Sequence, residues 1–545
     1  MSLSSLLSSI RKASSIISFF DPVFLVLFLP FSIIGYFITP EKQKKYFLLL
    51  VSYLYFWLIS GTLIVYLIVS TISVFCFGLW LEHIQIQLKS ALAERPTEER
   101  KTIKQIYIRK QRRVIFFAVA LHIGTLLILK YSPFVITNVN RLLLWLNVST
   151  TLKVPEYLLP IGISFFSLQA LSYILDVSRG TTKADHNFFR LALFLSFFPQ
   201  IVEGPICRYR QTAENLWDAK PVTYQNLTRG LQRFLYGLMK KMVIADRLNP
   251  FVNRIFTDYS NHRGGVIALA ALCYTIQLYM DFSGSMDAVI GVAQIFGITL
   301  PENFQRPFFA KTVSEFWTRW HITLGTWFKD YLFYPVVSTK RMKKLTSSAR
   351  KKIGNHYGPL LAGGIALFCV WFCNGLWHGS DWNFLFFGMY HFVLILGGSL
   401  LVPLVESTNK YLHLNPEWPV YKFFQMLRTT IFVIIGELFF RAEGLKNGLL
   451  MFRKIFTDFS FSTLNEDLLF SCGLNTSDFL IVGITLVIVF IVSIFNEKGL
   501  SVRKMLAEKN TVLRWTVLYA LIVFILLFGA YGFGYTTIEP LYGQY

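Results

Sequence analysis

The chain is poor in charge. Of its 545 residues, 15% are Asp, Glu, Lys or Arg, against roughly 25% in ordinary soluble domains. Acid is the scarcer sign, with 31 Asp and Glu against 53 Lys and Arg, a net charge of +22. Cysteine is rare as well. Cys76, Cys207, Cys273, Cys369, Cys373 and Cys472 include no Cys-x-x-Cys pair, which removes a disulfide framework and a zinc site from consideration. Cys369 and Cys373 share a helix face with no histidine or cysteine ligand beside them and read as small core residues; no metal site is expected. Ser283 lacks a Gly-x-Ser-x-Gly elbow, so a serine hydrolase has no support. No internal repeat marks the two similar halves on which many transporters are built.

What the chain does have is apolar surface: 54% of it is hydrophobic and 17% aromatic, which argues against a soluble enzyme. Lys and Arg punctuate long apolar runs, at Lys42 to Lys45, 89–113, Lys340 to Lys352 and 497–509. That is the pattern of cytoplasmic loops between spans, not of a nucleic-acid-binding face, and no nucleic-acid partner is expected. Residues 1–20 are Ser-rich, with Arg11 and Lys12 interrupting them, and read as an interfacial segment instead of a cleavable signal. Apolar candidates follow from Pro22 onward, several shorter than the ~20 residues a full crossing needs. Short pieces broken by Gly, Pro and polar residues must be buried against protein, since irregular backbone cannot face lipid. The expectation is an all-α polytopic membrane protein of about 11 transmembrane helices plus re-entrant and interfacial helices. Residues 21–440 would form the core, and 441–545 a loop with further spans.

Polar groups at membrane depth are costly and mark function or a specific partner. Residues 371–382 read W-F-C-N-G-L-W-H-G-S-D-W. On a helix Trp371, Asn374 and His378 form one stripe, Gly375 and Gly379 permit close approach of another backbone, and Ser380 or Asp381 is placed to cap the next helix. Residues 314–334 read as one amphipathic interfacial helix, with Trp320, Leu324, Trp327 and Phe328 on its apolar face and Glu315 paired with Arg319 at i, i+4. His321 follows Trp320, so a Trp-His pair occurs twice. Tyr274, Gln277 and Asp281 form a stripe that Ser283 and Gly284 are expected to interrupt, re-aiming Asp287; a structural polar network is the favoured reading there. Pro199 to Tyr209 reads as a buried bend in which Glu203 and Arg208 compensate each other, and Glu437 with Arg441 as a buried ion pair. His122 and His391 lie alone in apolar runs and read as core residues.

An ordered series of strings then resembles a known family. L-P-I-G-I-S-F-F at 159–166, F-F-P-Q-I-V-E-G-P-I-C-R-Y at 197–209, Y-M-D-F-S-G at 279–284, N-F-Q-R-P-F at 303–308, E-F-W-T-R-W-H at 315–321, N-G-L-W-H-G at 374–379 and F-F-R-A at 439–442 are similar to the membrane-bound O-acyltransferase superfamily. The similarity is to its bacterial branch of alginate O-acetylation and teichoic-acid D-alanylation, over some four-fifths of the chain. The resemblance implies a ring of helices around a central tunnel, entered from both sides, with His378 and His321 as catalytic residues. Asn374, Trp377, Trp320, Trp317, Arg319, Asp281 and Gln277 would line or support the tunnel. It implies no tightly bound cofactor, and a thioester donor, acetyl-CoA or a carrier protein, on the cytoplasmic side. The acceptor would be a hydroxyl of an extracytoplasmic polysaccharide or of a partner acyltransferase, and the location the bacterial inner membrane, amid lipid. D-alanyl transfer to teichoic acid from a carrier thioester is the near alternative. A transporter of acyl groups or glycans that makes no bond is the alternative from another class.

Overall fold

The computed structural model describes residues 19–93 and 96–531. The interfacial segment expected over 1–20 therefore lies, up to residue 18, outside the described residues. Those described form helices and no strand, as a chain must when its backbone polar groups have to be satisfied within each lipid-facing segment.

Among the described residues, eight helices are long and apolar enough to cross a membrane, and the chain is a multi-pass membrane protein. The expected figure was about eleven, with the shorter apolar pieces read as tilted or re-entrant; two of those pieces are helices of 17 and 9 residues, Ile163–Arg179 and Phe188–Ser196.

The chain forms two compact units, the first comprising residues up to Leu231 with Val289–Pro301, the second Gln232–Ala288 with Glu302 onward. In the first, α1 (Phe24–Ile38) precedes α2 (Lys44–Ser60) and α3 (Ile64–Ala93), which are followed by α4 (Thr97–Leu126), α5 (Ile163–Arg179) and α6 (Phe188–Ser196). His122 on α4 is a core residue as expected: its ring nitrogens lie 3.5 and 3.2 Å from the Ser70 and Ser73 hydroxyls of α3. After α6 the chain makes the expected buried bend, with Glu203 and Arg208 both buried.

The second unit holds the end of α7 (Tyr224–Leu238), α8 (Asp246–Thr257) and most of α9 (Gly264–Ile295). It continues with α10 (Val313–Arg319), α11 (Ile322–Phe328), α12 (Lys340–His378), α13 (Trp382–Leu400), α14 (Pro419–Arg441), α15 (Leu445–Thr457), α16 (Thr476–Glu497) and α17 (Thr511–Phe528).

Two local expectations need correcting here. Ser283 and Gly284 do not break α9, which runs unbroken through them. Gly284 is a contact residue: a Cβ there would lie 2.9 Å from the Gly237 carbonyl oxygen, and one on Gly237 only 2.5 Å from that of Gly284. Nor do Glu437 and Arg441 pair. Arg441 donates to Asn253 and lies over the Phe256 ring, 5.6 Å from its centroid, so its charge is spent on α8.

Candidate active site

Two segments bring the histidines together. The first is not the single amphipathic helix expected over 314–334: it breaks at Trp320 and His321, where His321 takes φ +45°. The break is fixed from a distance. Phe304 and Trp320 form an isolated antiparallel bridge, the Gln305 N–H donates to the Arg319 carbonyl at 2.9 Å, and the Ile322 N–H to the Asn303 carbonyl at 3.0 Å. Trp320 is buried among Phe316, Phe304 and Tyr279 at centroid distances of 5.4, 5.1 and 5.8 Å. The Glu315–Arg319 pair does form, at 2.8 Å. With both ends of the kink pinned, the His321 imidazole is held in the interior, 3% exposed, and burial pushes it down to about 3 from its ordinary 6.5.

The second segment is the end of α12. Trp371, Asn374, Gly375 and His378 all lie on its buried face, the stripe read from sequence. The buried face is pressed against α13. A Cβ on Gly375 would lie 2.6 Å from the Phe384 carbonyl oxygen, and one on Gly388 would lie 2.4 Å from that of Trp371. Asp381 caps α13, its side chain accepting the Trp382 N–H at 2.6 Å. Asn383 donates to the Phe440 and Ala442 carbonyls at 3.2 and 3.0 Å. That ties α13 to the end of α14 and sets Phe440 against the His378 ring, 5.2 Å between centroids.

Trp377 lies against both imidazoles, its ring 5.6 Å from that of His321 and 4.9 Å from that of His378. Phe282 of α9 closes on His321 edge-on at 4.8 Å. The rings continue past His378 through Phe387, at 5.9 Å, to His391. His391 was expected to be an incidental core residue. It is fully buried, and its Nδ1 accepts the Trp317 indole N–H at 3.2 Å, with Trp371 beside both rings. No local signal marks this, because its partner lies 74 residues earlier.

The remaining expected residues find partners of their own. Gln277 donates to Asn249 at 2.8 Å, and Asp281 pairs at 2.8 Å with Lys241, which also donates to Asp246 at 2.7 Å. Arg319 is shared between Glu315 and Glu497. These are supporting contacts. Among the described residues no three His, Cys, Asp or Glu side chains gather so as to hold a metal ion.

A cavity of about 610 Å³ adjoins the site. Arg233, Lys240, Asp287, Glu302, Asn303, Arg306 and Arg503 contribute to its wall, and of these Asn303 contacts His321 directly, Oδ1 to Nδ1, at 3.2 Å. Arg233 bridges Asp287 and Glu302, and Lys240 also pairs with Asp287, so a preorganised charged cluster is set into a wall that is otherwise mostly apolar, lined by residues such as Met239, Ile488 and Leu521; Arg306, paired with Glu497, and Arg503 also line it.

Comparison with known proteins places the chain. A sequence profile of "MBOAT, membrane-bound O-acyltransferase family" matches residues 25–350, which includes His321 and stops short of His378. A probable alginate O-acetylase, AlgI, of Azotobacter vinelandii is 30% identical over 462 residues, 84% of this chain and 82% of that protein. A peptidoglycan O-acetyltransferase of Helicobacter pylori is 30% identical over 82% of this chain and 81% of its own length. A teichoic acid D-alanyltransferase of Bacillus subtilis is 30% identical over only 43% of this chain and 58% of its own. The chain belongs to the membrane-bound O-acyltransferase family and is an O-acyltransferase.

Proposed function

We propose that this enzyme moves an acetyl group from a cytoplasmic thioester, most simply acetyl-CoA, to a hydroxyl outside the bacterial inner membrane. The acceptor is a cell-surface polysaccharide, or a partner acyltransferase that passes the group on. The observation that carries this reading is the run of rings His321, Trp377 and His378, adjoined through Asn303 by a largely apolar cavity that holds a cluster of charged side chains.

His378 takes the proton of the acceptor hydroxyl as its oxygen attacks the thioester carbonyl. The carbon–sulfur bond then breaks, the thiolate recovers that proton from the imidazolium, and an ester and a free thiol result. Imidazole suits both transfers because its ordinary pKa of ~6.5 lies near working pH. His321 orients the donor or bonds the developing oxyanion, and Asn374, one turn before His378, holds that ring or supplies the same bond. Arg503 lies in the basic stretch expected to be cytoplasmic and lines the cavity, which supports entry of an anionic donor from that side.

The acetyl reading is favoured over D-alanyl transfer because the O-acetylating relatives align over about twice as much of the chain. Purified protein given labelled acetyl-CoA and a polysaccharide acceptor tests it. Release of CoA with label on the acceptor is expected. An intact thioester would sink it, and turnover only with a D-alanyl carrier thioester would replace it with the alternative.

A further inference from the structure

We infer that Glu497, the last residue of α16, is a positioning residue for His321: its carboxylate clamps Arg306 to Arg319 and so holds together the turn that places this imidazole. The inference rests on the proposed acyl-transfer site. It adds to that site a helix lying beyond the profile match, which ends at residue 350.

The turn is strained on both of its strands. His321, next to the bridged Trp320, has φ +45°, and Arg306, two residues past the bridged Phe304, has φ +49°. Residues other than glycine keep such a conformation only where their surroundings over-determine it. Next to the backbone bond from the Gln305 N–H to the Arg319 carbonyl, Glu497 adds a tie through side chains. One of its oxygens accepts from Arg306 Nε, and both accept from the Arg319 guanidinium, at 3.1 and 3.2 Å. Arg319 Nη1 also reaches the Arg306 carbonyl at 3.4 Å, so the two cationic side chains converge on one place. Phe490, about two turns before Glu497, stacks on Phe309 at 5.9 Å between centroids and lays α16 along the same strand.

Charge decides what the clamp does. Arg306 and Arg319 are balanced by Glu497 and Glu315, but Glu315 bonds within its own segment, to Arg319 at 2.8 Å and to the Lys311 N–H at 2.8 Å. Only the Glu497 carboxylate is shared by both arginines. Removing it leaves two guanidiniums facing each other from the two strands, and like charges push them apart at the residue before Trp320 and His321. The side chains of Glu497, Arg306 and Arg319 are 31%, 30% and 20% exposed, so the clamp adds little to global stability. Its effect falls on the placement of the ring, to which rate is far more sensitive.

The test separates placement from stability and from binding. Turnover of acetyl-CoA by the purified full chain is measured together with thermal unfolding in detergent. Glu497→Arg sets three cations against Glu315 alone and is expected to lower kcat about 100-fold, with KM within about twofold of wild type. Adding Arg306→Glu to the same chain restores two charges of each sign and should bring kcat back to within about tenfold of wild type. Wild-type kcat in Glu497→Arg, or a double variant no faster than the single one, overturns the inference. A raised KM at unchanged kcat overturns it too, since Glu497 would then be a binding group.

Should Glu497→Arg fail to fold, Glu497→Gln decides, because it keeps the size and loses the charge. A kcat about tenfold lower at a nearly unchanged unfolding temperature is expected; wild-type kcat overturns the inference, whatever the unfolding temperature does. His378→Ala is run beside these variants. Wild-type turnover there defeats the acyl-transfer site itself, while an inactive His378→Ala with a fully active Glu497→Gln defeats only the clamp.

Discussion

Gly375→Ala should disable the enzyme through geometry alone. The added Cβ would lie 2.6 Å from the Phe384 carbonyl oxygen and 3.3 Å from the Leu385 Cα, backbone atoms that cannot rotate aside. Restoring ordinary contact requires α12 and α13 to part by about 1 Å locally. Overpacking of this kind costs roughly 1–3 kcal/mol. The functional cost is larger, because His378 sits one turn further along the same helix face, and a displacement of about 1 Å at a reacting group lowers rate on the order of 100-fold. Gly363, on the same helix with nothing within 4 Å of its would-be Cβ, is the control: Gly363→Ala should be neutral or slightly stabilising. Thermal unfolding in detergent and thioester turnover, measured on both variants, decide. Gly375→Ala with the stability and turnover of Gly363→Ala would refute the close-packed placement of His378.

Other perturbations have equally definite outcomes. Lys241→Met leaves Asp246 and Asp281 facing each other in the interior and should cost about 3–5 kcal/mol, with Asp281→Asn in the same chain recovering part of it; unchanged thermal unfolding would contradict the ion-pair assignment. Trp317→Phe keeps the ring but loses the bond to His391, so about 0.5–1.5 kcal/mol of stability should go while turnover stays near wild type; abolished turnover would give His391 a direct role. Because burial holds folded His321 at about 3 against an ordinary 6.5, its contribution is complete above pH 6.5 and erodes as pH falls toward 3. Stability should drop by about 2 kcal/mol between pH 7.5 and pH 5 from this group, and His321→Gln should flatten that part of the pH dependence of unfolding.

The sequence was most legible where the determining contacts are local. The stripe of Trp371, Asn374 and His378, the Glu315–Arg319 pair and the cap on α13 all follow from spacings of seven residues or fewer, which one helix or one turn sets. Four features were hidden because distant chain sets them. The kink that places His321 is imposed by Asn303 and Phe304, on a segment whose own periodicity reads as continuous helix. Gly284 looked like a helix breaker until Gly237 supplied the reason for a missing side chain. His391 gained its role from Trp317, and Arg441 was drawn from Glu437 by Asn253. In each case composition named a residue of interest, and tertiary contact decided what it does.

The most direct measurement is acetyl transfer by His378→Ala in membranes that contain the wild-type amount of the protein. Loss of the proton-transfer group should lower the rate by about 100-fold to 10,000-fold. Transfer at the wild-type rate would contradict the assignment of chemistry to this imidazole.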